Sequence, residues 1–77
     1  MQDTKVLWGV QAVGETAGQV WSVLKRQGKS SLSAIEREVD APPGLTHMAI
    51  GWLAREGKVE IGQEKRAVSL WLTESGS

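Results

Sequence analysis

Between Leu45 and Ile61, LTHMAIGWLAREGKVEI, the apolar pattern switches from a helical to an alternating period, and the switch falls on Gly57. A chain with that join runs a helix directly into a strand. Leu45, Met48, Ala49, Trp52 and Leu53 share one arc at about 100° per residue, which predicts the core face of a helix reaching Glu56. Glycine just past the last helical residue is the natural stop. Val59 and Ile61 then alternate with Lys58 and Glu60. Gly62-Gln63-Glu64-Lys65-Arg66 predicts a polar turn, after which Val68, Leu70 and Leu72 alternate again with Trp71 on the opposite face. The helix therefore leads into a β-hairpin.

Upstream, Ala17, Val20, Trp21 and Leu24 fall at i, i+3, i+4 and i+7 and predict a helix from about Glu15 to Gln27. Glu15 in its first turn and Lys25 and Arg26 in its last suit the helix dipole, and Gly28 ends it. Lys29 to Leu32 can form a very short strand. A second helix is expected to open at Ser33, because Ser33-Ala34-Ile35-Glu36 has capping-box spacing, with Leu32, Ile35 and Val39 facing inward. Asp40 to Gly44 is a turn, since Pro43 forces Pro42 out of helical geometry, and the third helix begins at Pro43 or Gly44. Helix, short strand, helix, turn, helix, hairpin is the order of a winged helix-turn-helix, an α+β fold. The expected organisation is an N-terminal segment over residues 1–12, the winged-helix domain over 13–73 and a tail over 74–77. In the first segment Val6, Trp8 and Val10 alternate as a strand would, while Val6, Val10 and Val13 fit a helix equally well. It is too apolar for a solvated tail and is expected to pack on the domain or on a partner.

At 77 residues the chain is one domain with a thin stability margin, and without cysteine neither a disulfide nor a thiolate metal site supplements its core. Its aromatic residues are four tryptophans. Trp21 and Trp52 lie on predicted core arcs; Trp8 and Trp71 either form a contact surface or pack against each other. Nine basic and nine acidic residues cancel, which lowers the expectation of nucleic-acid binding without excluding it. The first residues have too short an apolar run for a membrane span and lack signal-peptide organisation, so a soluble, cytoplasmic protein is expected.

VGETAGQVW (Val13 to Trp21) and AIGWLAREGKVEI (Ala49 to Ile61) resemble the two characteristic stretches of a small bacterial winged helix-turn-helix family of uncharacterised function. The likeness covers roughly residues 13–73. It implies a winged-helix fold, a DNA-binding role and a homodimer, and it brings no anchored site residue.

In a winged helix that reads DNA, the third helix enters the major groove and its early exposed residues meet base edges. Opposite the predicted core arc stand Thr46, His47, Ile50, Gly51 and Ala54, with Arg55 at the edge. Thr46 and His47 are the candidates for base contact. No Arg, Lys, Asn or Gln stands beside them, so sharp sequence specificity is disfavoured. Lys65 and Arg66 at the wing tip, with Lys29 and Ser31 before the second helix, are the candidates for phosphate contact. Ordinary solubilising charge is the competing account, and Glu64 dilutes the wing. Ile50, Gly51 and Ala54 are small or apolar where solvent is expected, and mid-helix Gly51 costs about 1 kcal/mol relative to Ala. With Trp8 and Trp71 they make a candidate protein interface, covered by the N-terminal segment or by a second subunit.

His47 is the sole histidine and has no partners at ligand spacing, so no metal site is expected. The sequence contains no nucleophile–base pair, phosphate-binding glycine loop or paired carboxylate in a recognisable spacing. No enzyme activity, cofactor or small-molecule substrate is expected. Two functions stay open: a weakly sequence-specific protein that binds double-stranded DNA and acts in transcription, or a non-catalytic interaction and dimerisation module on the same scaffold.

Overall fold

A computed structural model of the chain describes residues 7–73. Its elements are α1 (Val10–Gln27), β1 (Ser30–Ser31), α2 (Leu32–Glu38), α3 (Pro43–Arg55), β2 (Val59–Glu64) and β3 (Ala67–Leu72). The three strands form one antiparallel sheet in the order β1-β3-β2, so the last strand is the central one. Ser30 pairs with Leu70, and Ile61 meets Leu70 from the other side. Helices α1 and α3 pack on each other, α1 also on β3, and α2 closes against β1 and β3. The core between them is built from Ala17, Val20, Leu24, Ile35, Ala49 and Leu53, with Val59 and Leu70 from the sheet. This is the winged helix-turn-helix that the element order predicts.

Three boundaries differ from expectation, each for a local reason. Helix α1 begins at Val10, well before Glu15, from an extended Gly9 whose carbonyl accepts from the Val13 amide at 3.0 Å. Of the two patterns available to residues 1–12, the helical one holds from Val10 onward; residues 1–6, and with them Val6, lie outside the described residues. The tail over 74–77 does too. Helix α2 is capped by Ser31, not Ser33. The Ser31 hydroxyl accepts from the Ala34 amide at 3.1 Å, because pairing with β3 already holds Ser31 in the extended backbone an N-cap requires. Ser33 then lies inside the first turn, and Glu36 is released from any capping box. The wing turn is tighter than a five-residue loop: Glu64 pairs with Ala67, so only Lys65 and Arg66 bridge the strands, with Lys65 at φ 58°.

The helix-to-strand join is closed by main-chain bonds. Gly57 has φ 75°; its amide donates to Ala54 at 3.0 Å, and the Lys58 amide donates back to Leu53 at 2.9 Å. That pair satisfies carbonyls that a helix end leaves open and turns the chain into β2. Gly57→Ala is expected to cost about 1 kcal/mol through the left-handed backbone. Gly51→Ala should stabilise by up to about 1 kcal/mol, since Gly51 is mid-helix and nothing lies within 4 Å of an added Cβ. Thermal melts of the two variants should move in opposite directions; parallel shifts would contradict these backbone roles.

Candidate nucleic-acid interface

The buried face of α3 is turned about 60° around its axis from the predicted arc. Leu45, Ala49 and Leu53 are buried as expected, but the remaining core positions are Thr46 and Ile50, not Met48 and Trp52. Thr46 has no exposed surface and Ile50 is 4% exposed, whereas Met48 is 53% and Trp52 41% exposed. The hairpin and α2 approach α3 from the Ile50 side, where Ile50 shares a small apolar groove with Leu32, Ile61 and Leu70. A threonine is tolerated inside because its hydroxyl donates to the Pro42 carbonyl at 3.1 Å, the same device by which buried Thr16 bonds Ala12 at 2.8 Å.

This rotation reassigns the candidate residues. Thr46 cannot reach a base edge, and Ile50 cannot line an interface; both belong to the core. Ala54 is half-buried and packs against that core. The open side of α3 instead presents His47, Gly51 and Arg55, all exposed. His47 is not isolated: its Nε2 meets the Glu36 carboxylate of α2. Helix α3 contains no acidic residue, so its own charged side chains are Arg55 and, when protonated, His47. Arg55 is only an edge residue on the predicted arc, and turning that arc onto its true axis brings it to the front.

Of the phosphate candidates, Lys65 and Arg66 stand exposed at the hairpin end. Ser31 is exposed, but its hydroxyl is engaged in capping α2, a helix of only seven residues. Lys29 is exposed and lies over the Trp71 ring, 5.0 Å from its centroid. Trp71 is held on the outer sheet face: its indole N–H donates to Glu60 at 3.0 Å, and its ring covers Gly62. The indole is therefore a part of the wing, bracing Lys29, and not a free contact residue. Trp8 lies instead over Gly44 at the start of α3, its ring carbons 3.3 to 3.4 Å from where a Cβ would stand. The two indoles sit on different glycines.

A Cβ on Gly62 would come within 2.8 Å of Trp71 Cη2, so the ring has to move to admit it. Gly62→Ala is expected to destabilise by about 1–3 kcal/mol and to shift the Trp71 indole N–H resonance as its bond to Glu60 breaks. An unmoved resonance would show that the wing gives way elsewhere.

The contacts of Glu36 with His47 and of Lys29 with Trp71 join residues far apart in sequence, and no periodicity announces either. Among the described residues no group of three or more His, Cys, Asp or Glu could hold a metal ion, and no helix is long and apolar enough to cross a membrane.

The model of a family described as a winged helix-turn-helix domain (DUF2582) matches residues 1–72. The chain is similar to an uncharacterized protein of Methanocaldococcus jannaschii, 45% identical over 58 residues, which are 71% of this chain and 79% of that protein. The likeness thus reaches an archaeon, outside the bacterial range that the sequence motifs imply. Among solved structures the fold is similar to the Zalpha domain from Carassius auratus PKZ, crystallised in complex with Z-DNA. The TM-score is 0.69 at 22% identity, covering 80% of this chain and 98% of that one. At that identity the likeness establishes the fold.

Proposed function

This chain belongs to the winged helix-turn-helix family (DUF2582), and we propose that it binds double-stranded DNA chiefly through the phosphate backbone. The observation that carries this reading is the acid-free α3, whose open side offers His47, Gly51 and Arg55 beside a hairpin ending in Lys65 and Arg66. Gly51 leaves the helix backbone bare there, so a groove wall can approach closely. Lys65 and Arg66 extend the positive surface along the duplex, and Lys29, braced on Trp71, adds a third cation on the wing side. His47 and Arg55 are the polar side chains on that open side, and with only these two to meet base edges the proposed binding is weakly sequence-specific. The similar Zalpha domain, seen with Z-DNA, supports the use of this frame on nucleic acid. With such binding we propose a transcription-associated role in the cytoplasm.

With a net charge of zero the affinity rests on this local patch and is modest. The test is fluorescence anisotropy with labelled random-sequence duplex at two salt concentrations. Binding should weaken steeply as salt rises and vary little with sequence. Absence of binding at low salt would end this proposal. Glu36 brings a carboxylate against His47 on that face of α3, so Glu36→Gln should tighten binding several-fold by removing a charge that repels phosphate.

A further inference from the structure

The outer face of the sheet holds an open trough of about 500 Å³. Trp71, Ser69 and Ala67 alternate with buried Leu70 along β3, so the three share the face turned away from the core. On β2, Gly62 pairs with Ser69 and Glu64 with Ala67. Small residues therefore make the floor, and Ser69 offers a hydroxyl on it. Trp71 walls one end, where Lys29 lies over its ring, 5.0 Å from the centroid. Lys65 enters from the hairpin end, next to Glu64.

We infer that this trough binds a nucleotide, a planar base joined to a sugar and a phosphate. Length argues for it. From Trp71 to Ala67 the strand rises about 13 Å at roughly 3.3 Å per residue, and an elongated ligand meets both ends at once. Charge argues for the same ligand. Lys29 and Lys65 attract a phosphate, but Glu64 repels a bare anion. Its carboxylate needs a donor, which a base amino group or a sugar hydroxyl supplies. The ring is the third argument. The indole is fixed by its bond to Glu60 and its seat on Gly62, whereas the Lys29 side chain over it is exposed. A base stacked on indole outweighs an exposed cation–π contact. The base thus takes the ring, and the displaced Lys29 ammonium turns onto the phosphate.

This site goes beyond duplex binding. Leu70 faces the core that it shares with Ala49, Ile50 and Leu53 of α3, so the trough lies on the opposite side of the sheet. Lys29 and Lys65 serve both readings, whereas Ser69 belongs to the trough alone.

The test is titration of the full chain with adenosine monophosphate (AMP), followed in proton–nitrogen NMR correlation spectra. AMP should move the Trp71 indole N–H and the Gly62 and Ser69 amides together. Adenosine alone and inorganic phosphate alone should each bind at least tenfold more weakly. Ser69→Ile fills the floor with a side chain that suits a strand. It should weaken AMP binding at least tenfold while the thermal melt and duplex binding stay unchanged. A short single-stranded oligoadenylate separates the two sources of this chemistry. Tighter binding than AMP gives the trough to a nucleic-acid strand and equal binding gives it to a free nucleotide; either supports the inference. Resonances unmoved by both AMP and the oligoadenylate overturn it. So does adenosine or inorganic phosphate binding as tightly as AMP, or a Ser69→Ile chain that binds both nucleotide probes as well as the natural one. Duplex binding is read separately by anisotropy, so failure of either reading leaves the other standing.

Discussion

Leu70→Ala is expected to lower stability by about 2–5 kcal/mol, the range for truncating a leucine where the surroundings cannot collapse into the cavity. Leu70 has no exposed surface and lies on the central strand, with Ser30 on one flank and Ile61 on the other. It belongs to the same core cluster as Leu24 and Ile35. A domain of this length holds roughly 4–12 kcal/mol in all, so the variant should lose a large part of its stability. Ile61 supplies the control. It is the register partner of Leu70 and shares its face of the sheet, but it is 48% exposed. Ile61→Ala removes comparable carbon from a site that water already reaches, and should cost no more than about half as much. Urea titration followed by far-ultraviolet circular dichroism compares the two midpoints. Equal shifts would mean that the core does not close over β3.

The far end of the same hairpin governs the largest expected functional effect. Lys65 and Arg66 bridge β2 and β3 and have no packing role, both being exposed. Removing both charges should weaken binding to any duplex by roughly tenfold at low salt. It should also reduce the slope of log affinity against log salt by about 2, one for each phosphate that is no longer neutralised. The substitution has to respect the backbone. Lys65 sits at φ 58°, and asparagine tolerates that region better than other uncharged side chains apart from glycine. Lys65→Asn with Arg66→Ala therefore removes charge without adding turn strain. A matching change in affinity across unrelated sequences would mark backbone contact, whereas a selective loss on one sequence would mark base reading. An unaltered salt slope would take the wing out of the proposed interface.

How far the sequence carries depends on the kind of information each feature needs. The element order is legible because helix and strand periods differ and because Gly57 marks their junction. Leu45, Ala49 and Leu53 are legible as core because they sit in the middle of any arc the helix could bury. Met48 and Trp52 are not, because hydrophobicity alone puts them in the core, while Thr46 hides its polar atom on the Pro42 carbonyl. The cap of α2 is displaced by two residues from its expected position because Ser31 and Ser33 both have the required chemistry. Only pairing to β3 selects the one already extended.

The candidate site follows the same division. Lys65 and Arg66 stand out in the sequence, since a polar turn between alternating strands has to project outward. Arg55 takes its place on the front of α3 only because the helix is rotated. For that same reason Ile50 of the expected interface is buried and Ala54 half-buried while Gly51 stays exposed, and Met48 and Trp52 are exposed on the other flank.

What the sequence determined by itself is the fold: short-range periods, a glycine stop and two prolines specify helices and a hairpin in an order that has one familiar packing. Which side of α3 that packing buries was decided by the tertiary structure alone. An isolated amphipathic helix with apolar residues over most of its circumference has no unique inner face. The choice comes from what presses on it, here α1 on one flank and the hairpin with α2 on the other. That choice buries Thr46 and Ile50 and leaves His47, Gly51, Arg55, Met48 and Trp52 exposed.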